Sequence, residues 1–109
     1  MTKFMILYRA PMSAREQMTA GTPEQAQAGM EAWMAWAGKA GPAIVDLGSP
    51  LGAVSEVGTP VPAAGHVIGG YSILQADSEF ELATVLEGHP HLAWGGTIEV
   101  HEILPVPGM

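Results

Sequence analysis

The chain contains no cysteine, which excludes disulfides and thiolate chemistry. Basic residues are scarce: four Lys and Arg stand against eleven Asp and Glu, a formal net charge of −7. An acidic chain with no basic stripe repels phosphate backbones, so nucleic acid is not an expected partner. Long hydrophobic runs are missing too. The start, MTKFMILYRAPM, holds one short apolar run and then turns polar. It reads as neither a signal peptide nor a membrane span, and a cytoplasmic protein is the expectation. Charge of either sign is low at 14%, while 48% of the residues are hydrophobic. Small domains have a high surface-to-volume ratio and need polar cover. The apolar excess therefore points to a face covered by a second copy of the chain, or to an apolar ligand groove. At 109 residues the chain reads as one domain, residues 1–109, with a modest core.

The stretch Gly69 to Ile103 organises the rest. It reads as strand, helix, a His-Pro-His corner and strand, and it holds three of the four histidines. Before it, Lys3 to Arg9 alternates Phe4, Ile6 and Tyr8 against Met5 and Leu7, which predicts a strand apolar on both faces. Pro11 stops it, and residues 12 to 21 read as a loop. Thr22-Pro23-Glu24-Gln25 is a helix start with a capping residue, a first-turn proline and a capping box. The helix is expected to run to about Lys39, with Ala26, Met30, Trp33, Met34 and Ala37 as its apolar stripe. Gly41-Pro42 ends it. Ala43 to Leu47 reads as a short second strand, and residues 48 to 66 as a long loop of the kind that is often functional.

Val67 to Ala76 predicts the third strand, and Gly69-Gly70 within it signals a bulge or a close backbone approach. Asp77-Ser78 opens a second helix with Ser78 and Glu81 as a capping box. Leu82, Ala83 and Leu86 form its apolar face, and Gly88 ends it. Thr97 to Leu104 is the last strand. The order βαββαβ predicts an α+β fold of ferredoxin-like type: an antiparallel sheet with two helices on one face. Strands one and three are apolar on both sides, so the uncovered face is expected to meet a second copy in a homodimer.

The run Gly70-Tyr71-Ser72-Ile73 to Ala76-Asp77-Ser78, then Gly88, Pro90-His91-Leu92 and Gly95 to Val100, resembles the YCII-related family (YciI-like, DGPF-type). The likeness covers the C-terminal third strongly. It extends more loosely to the first strand and the helix of Trp33 and Trp36. The resemblance implies a small bacterial, cytoplasmic, ferredoxin-like chain paired into a dimeric α/β barrel, and it implies little about reaction. In the YciI-like branch a His–Asp pair is the proposed active site. His89 stands where that Asp precedes a proline, and the first helix, which carries the His in that branch, has no histidine here. The Asp-Gly-Pro-Phe motif is absent from residues 48 to 66.

Four residues are the catalytic candidates: His89, His91, Asp46 and Glu99. Imidazoles titrate near neutral pH, and Pro90 fixes the backbone between the two histidines. A preceding helix end favours a protonated His89. The simpler reading has one histidine capping helical carbonyls and the other packing at a corner. Asp46 sits in an apolar strand, by alternation on the side of Ile44. A carboxylate there either carries a raised pKa or pairs with Arg9 or caps the Gly48 loop. Glu99 and His101 share one strand face with Thr97 and Ile103, opposite the more apolar Ile98 and Val100. That set is expected to face away from the helices.

Pocket candidates are Tyr8, Arg9, Tyr71, Trp94 and His101. Tyr8 also reads as core. Trp33 reads as core, and Trp36 and Trp94 as rims of a pocket or interface. Two histidines spaced like His89 and His91 can share an ion in an extended segment. Further ligands from His66, His101, Asp46 or Glu99 are not selected by spacing, so no metal and no cofactor is assigned. The functional expectation is a small cofactorless enzyme doing acid–base work in a cleft beside the loop 48 to 66. The alternative is a non-enzymatic ligand-binding or accessory module on the same scaffold, with a structural partner protein behind both.

Overall fold

Alternation in the first strand decides which side of the sheet receives the helices. The computed structural model describes residues 1–59 and 65–108. In it β1 (Thr2–Ala10) buries Phe4, Ile6, Tyr8 and Ala10, while Lys3, Met5, Leu7 and Arg9 lie on the other face. β3 (Val67–Ala76) runs antiparallel beside it and buries Gly70, Ser72, Leu74 and Ala76 on the same side. β4 (Thr97–Glu102) pairs with the other edge of β1, and β2 (Ile44–Asp46) with the outer edge of β3. The order β2-β3-β1-β4, antiparallel throughout, is compatible with the ferredoxin-like arrangement. No helix among the described residues is long and apolar enough to cross a membrane.

Helices cover one face. α2 (Pro23–Ala40) starts as its sequence requires: Thr22 accepts from the Gln25 N–H, and Gln25 reaches back to the Thr22 N–H. Its buried side differs from the expected stripe. Trp36 is 4% exposed, with Trp33, Ala37 and Ala40 packed beside it, whereas Met30 and Met34 are 63% and 53% exposed. The helix is rotated so that the larger indoles go inward. They bury more apolar area than the methionines, and the Trp36 Nε1–H finds the Val85 carbonyl at 3.0 Å.

α3 (Glu79–Leu86) contributes Leu82 and Leu86 to the core, and Ala83 is exposed. The Ser78 hydroxyl caps the Glu81 N–H, while the Glu81 carboxylate accepts from Asp77 rather than from Ser78. Phe4, Ile6, Tyr8, Trp36, Leu74, Ala76, Leu82 and Leu86 form one cluster. Each large side chain in it contributes roughly 1.5–3 kcal/mol by leaving water.

Three element boundaries depart from expectation. Residues 14 to 20 are helical, not loop: α1 (Ala14–Ala20) begins at a Ser13/Glu16 capping box and buries Ala14. A single 3₁₀ turn, Gly41–Ala43, takes the first residue assigned to β2. β4 stops at Glu102, two residues short.

Within the loop 48 to 66, residues 60 to 64 lie outside the described residues. Its start is tied to the sheet edge: the Leu51 N–H donates to the Gly69 carbonyl at 2.9 Å, and Pro50 bridges to Gly70. Arg15 of α1 donates to the Ala53 carbonyl at 2.8 Å with its guanidinium over Gly52. Gly69 is the extra residue at the β1–β3 register shift, where Tyr8 faces Gly70 and Arg9 faces Ile68.

Candidate functional site

The two histidines of the corner do different work. Gly88 adopts φ 72° after α3, a turn that glycine makes without strain, and it aims His89 inward. His89 then caps a short helix, α4 (Pro90–Ala93): its Nδ1 accepts from the His91 N–H at 3.0 Å. The neutral ring therefore carries its proton on Nε2. The ring is 1% exposed and is enclosed by Tyr8, Trp33 and Trp36 at centroid distances of 5.1, 4.5 and 4.3 Å. Nε2 has no hydrogen-bond partner among the described residues. Burial, and then charge on His91, lowers the His89 pKa from the ordinary 6.5 to about 4. The expected protonation of His89 at a helix end is overturned, because desolvation outweighs the helix dipole at an exposure this small.

His91 is half-buried and bonds to β1. Its Nε2 lies 2.8 Å from the Arg9 carbonyl oxygen, which accepts only, so Nε2 is the donor. Both imidazoles pack against the Tyr8 ring, at centroid distances of 5.1 and 5.3 Å, but they bond to different partners: His89 to the His91 N–H and His91 to the Arg9 carbonyl. Among the described residues no three His, Asp or Glu side chains gather as a metal cluster.

On the sheet face away from the helices a second group assembles. The strand register places Thr97, Glu99 and His101 opposite Arg9, Leu7 and Met5. Glu99 takes one ligand on each oxygen: Arg9 Nη1 at 3.2 Å on Oε1 and His101 Nε2 at 2.7 Å on Oε2. A carboxylate only accepts, so the His101 Nε2–H is the donor of this contact. The His101 hydrogen bond first, and Arg9 after it, hold the Glu99 carboxyl below its usual range. The second guanidinium nitrogen of Arg9 donates to the His66 carbonyl at 3.1 Å.

Asp46 lies farther along the same face. The β2–β3 register shifts between Ile44, which faces Leu74, and Asp46, which faces Ile73. That irregularity breaks the simple alternation and puts Asp46 on the side opposite Ile44. Its Oδ1 accepts from the Gly48 N–H at 2.9 Å, and its Oδ2 from the Tyr71 hydroxyl at 3.4 Å. Arg9 pairs with Glu99 and not with Asp46.

The four catalytic candidates do not meet in one cleft. His89 is in the core, His91 is bonded to backbone, and Glu99 and Asp46 lie on the far side of the sheet. Of the pocket candidates, Arg9, Tyr71 and His101 share that open face. Its floor is Met5, Leu7 and Ile73, all partly exposed. Tyr8 faces the helices and donates to Ser72 Oγ at 2.8 Å; Ser72 in turn donates to the Leu47 carbonyl at 2.6 Å. Trp94, 58% exposed, rims a groove of about 440 Å³ between α2 and α4, apart from Glu99.

Reading the residues alone missed Trp36 as a core anchor and Ser72 as the partner of Tyr8. The alternation of β3 carried the second signal, since it puts Ser72 in line with Leu74. In comparisons with known proteins, no family model and no curated protein matches the chain.

Proposed function

We propose that the protein is a small acid–base enzyme working on the sheet face away from its helices. Glu99 and His101 are its proton-transferring pair. The carrying observation is the 2.7 Å contact between His101 Nε2 and Glu99 Oε2 with Arg9 on the other carboxylate oxygen. Glu99 orients the ring by accepting from its Nε2–H, and in the neutral imidazole Nδ1 is the base that faces a ligand on the Met5–Leu7–Ile73 floor. A second copy of the chain, related as in a dimeric α/β barrel, closes this face into a cleft; the apolar floor supports that reading. The resemblance to YCII-related proteins belongs to this proposal, with the chemistry on β4 and not at the His89 corner.

The test needs no known substrate. Small carbonyl compounds are incubated in D2O, and deuterium entering carbon is followed by proton NMR. The wild-type protein accelerates exchange of at least one compound, and His101→Ala and Glu99→Gln lower that rate by about a hundredfold or more. Equal rates for wild type and His101→Ala across the panel sink the enzyme reading.

A ligand-binding module without turnover is the second reading. It is favoured by how the titratable groups divide: His89 is given to packing and His91 to the Arg9 carbonyl, so neither histidine of the corner joins the groups on the open face. Binding to that face without deuterium exchange supports it.

A further inference from the structure

Arg9 is held at both ends. Its guanidinium bridges the Glu99 carboxylate and the His66 carbonyl. Its own backbone carbonyl receives the His91 Nε2–H at 2.8 Å. This bond reaches β1 at the β1–β3 register shift, which falls between Tyr8 and Arg9. It crosses from the helix-side corner to the strand whose other face carries the candidate site.

Gly96 makes the contact sterically open. A Cβ at Gly96 would overlap the His91 ring, at Nε2 and both adjacent carbons. The Gly96 N–H also donates to the His91 carbonyl at 3.2 Å. One residue later β4 begins, with Thr97 facing Arg9 and Glu99 facing Leu7. The same short link therefore seats the imidazole on Arg9 and delivers Glu99 to the guanidinium.

We infer that His91 is a positioning residue for the open-face pair: by fixing the Arg9 backbone it sets the guanidinium that orients Glu99 toward His101. This rests on the acid–base reading proposed above. A long arginine stem carries much rotamer freedom, so a pair at 3.2 Å on a sheet surface depends on where its root and head are pinned. His66 pins the head and His91 pins the root. The His91 ring bonds to the Arg9 carbonyl and not to the Glu99 carboxylate, and it acts through Arg9.

The test displaces the ring without removing it. Gly96→Ala introduces the overlapping methyl at a position whose φ is not in the left-handed region. His91→Ala removes the donor, and His91→Gln restores an N–H at a similar reach. The readout is the titration of the Glu99 carboxyl carbon by ¹³C NMR, with the Ile6 and Leu74 methyl signals reporting that the core is intact.

In the wild type Glu99 titrates below the ordinary carboxylate range. Gly96→Ala and His91→Ala move the midpoint upward by on the order of half a unit, and His91→Gln returns it toward wild type. An unchanged midpoint in both Gly96→Ala and His91→Ala overturns the positioning role while leaving the Glu99–His101 pair standing. A wild-type midpoint at the ordinary value overturns the pair itself and the positioning role with it. If Gly96→Ala fails to fold, the comparison of His91→Ala with His91→Gln decides alone.

Discussion

The imidazole of His89 lies against the indole of Trp36 with ring centroids 4.3 Å apart and the planes inclined by 51°. Among the described residues it has one hydrogen bond, through Nδ1, and an enclosed Nε2 without a partner. This ring accepts a proton in the unfolded chain far more readily than in the folded one, since its pKa falls from 6.5 to about 4 on folding. Above pH 6.5 both states are neutral there and stability is fully present. Between 6.5 and 4 the unfolded chain binds the proton and the folded chain does not, so stability falls as pH falls. Below pH 4 the loss is complete, at about 3 kcal/mol. His89→Asn keeps a side-chain acceptor for the His91 N–H and removes the titration. Urea denaturation across this range shows a shallower pH dependence for His89→Asn than for wild type. Identical slopes refute the assignment.

Trp36 and Trp94 make a controlled pair. Trp36 is buried and donates to the Val85 carbonyl, while Trp94 is more than half exposed and stands at a groove rim. Trp36→Ala costs about 3–5 kcal/mol from the cavity and the orphaned carbonyl. Trp94→Ala changes stability by about 0.5 kcal/mol or less. Chemical denaturation of the two variants measures both, and comparable losses contradict the packing described.

Gly48 sits at φ 86° with its α-carbon against β3, and a Cβ there would collide with the Tyr71 carbonyl. Gly58 has φ 100°, and a Cβ there would meet no atom of the described residues within 4 Å. Alanine at either position meets the left-handed backbone penalty of about 1–2 kcal/mol. Only at Gly48 does a backbone collision add to it. Gly48→Ala therefore melts well below Gly58→Ala, and equal melting temperatures count against the turn that Asp46 caps.

Much of the fold could be read before the structure, because it rests on local patterns. The alternation of β1 and β3, the Thr22–Gln25 box and the Gly69 bulge are all short-range signals, and each is found where its residues put it. α1 was legible too, through Ser13 and Glu16, but a seven-residue helix with one buried side chain carries almost no periodicity. The rotation of α2 was not legible. Either stripe of that helix is apolar, and only the meeting of Trp36 with Val85 and His89 selects between them.

The candidate site divides in the same way. Glu99 and His101 share a strand face by simple alternation, so their meeting could be foreseen. The partition of His89 from Glu99 could not, since it depends on which side of the sheet the α3–α4 corner packs. Asp46 was misplaced for a local reason: one irregular step in β2 reverses the face.

The dimer proposal makes its own demand. Met5, Leu7 and Ile73 form the apolar floor of the open face, and the proposed second copy covers it. Light scattering gives about twice the 11.4 kDa chain mass for wild type. Leu7→Glu places a charge opposite Glu99 and Tyr71 on that face and lowers the mass toward the monomer. A wild-type monomer at every concentration contradicts the covered face.

The most direct test of where the protein works is a methyl map. Protein labelled at Met, Leu and Ile methyls is titrated with cyclohexanone, acetone and pyruvate. The account predicts that whichever probe binds shifts Met5, Leu7 and Ile73, together with the His101 ring signals, and leaves Ile6, Leu74 and Leu82 in place. Shifts concentrated instead at Trp94, Met30 and Met34, with the open-face methyls silent, would contradict it and move the site to the groove between α2 and α4.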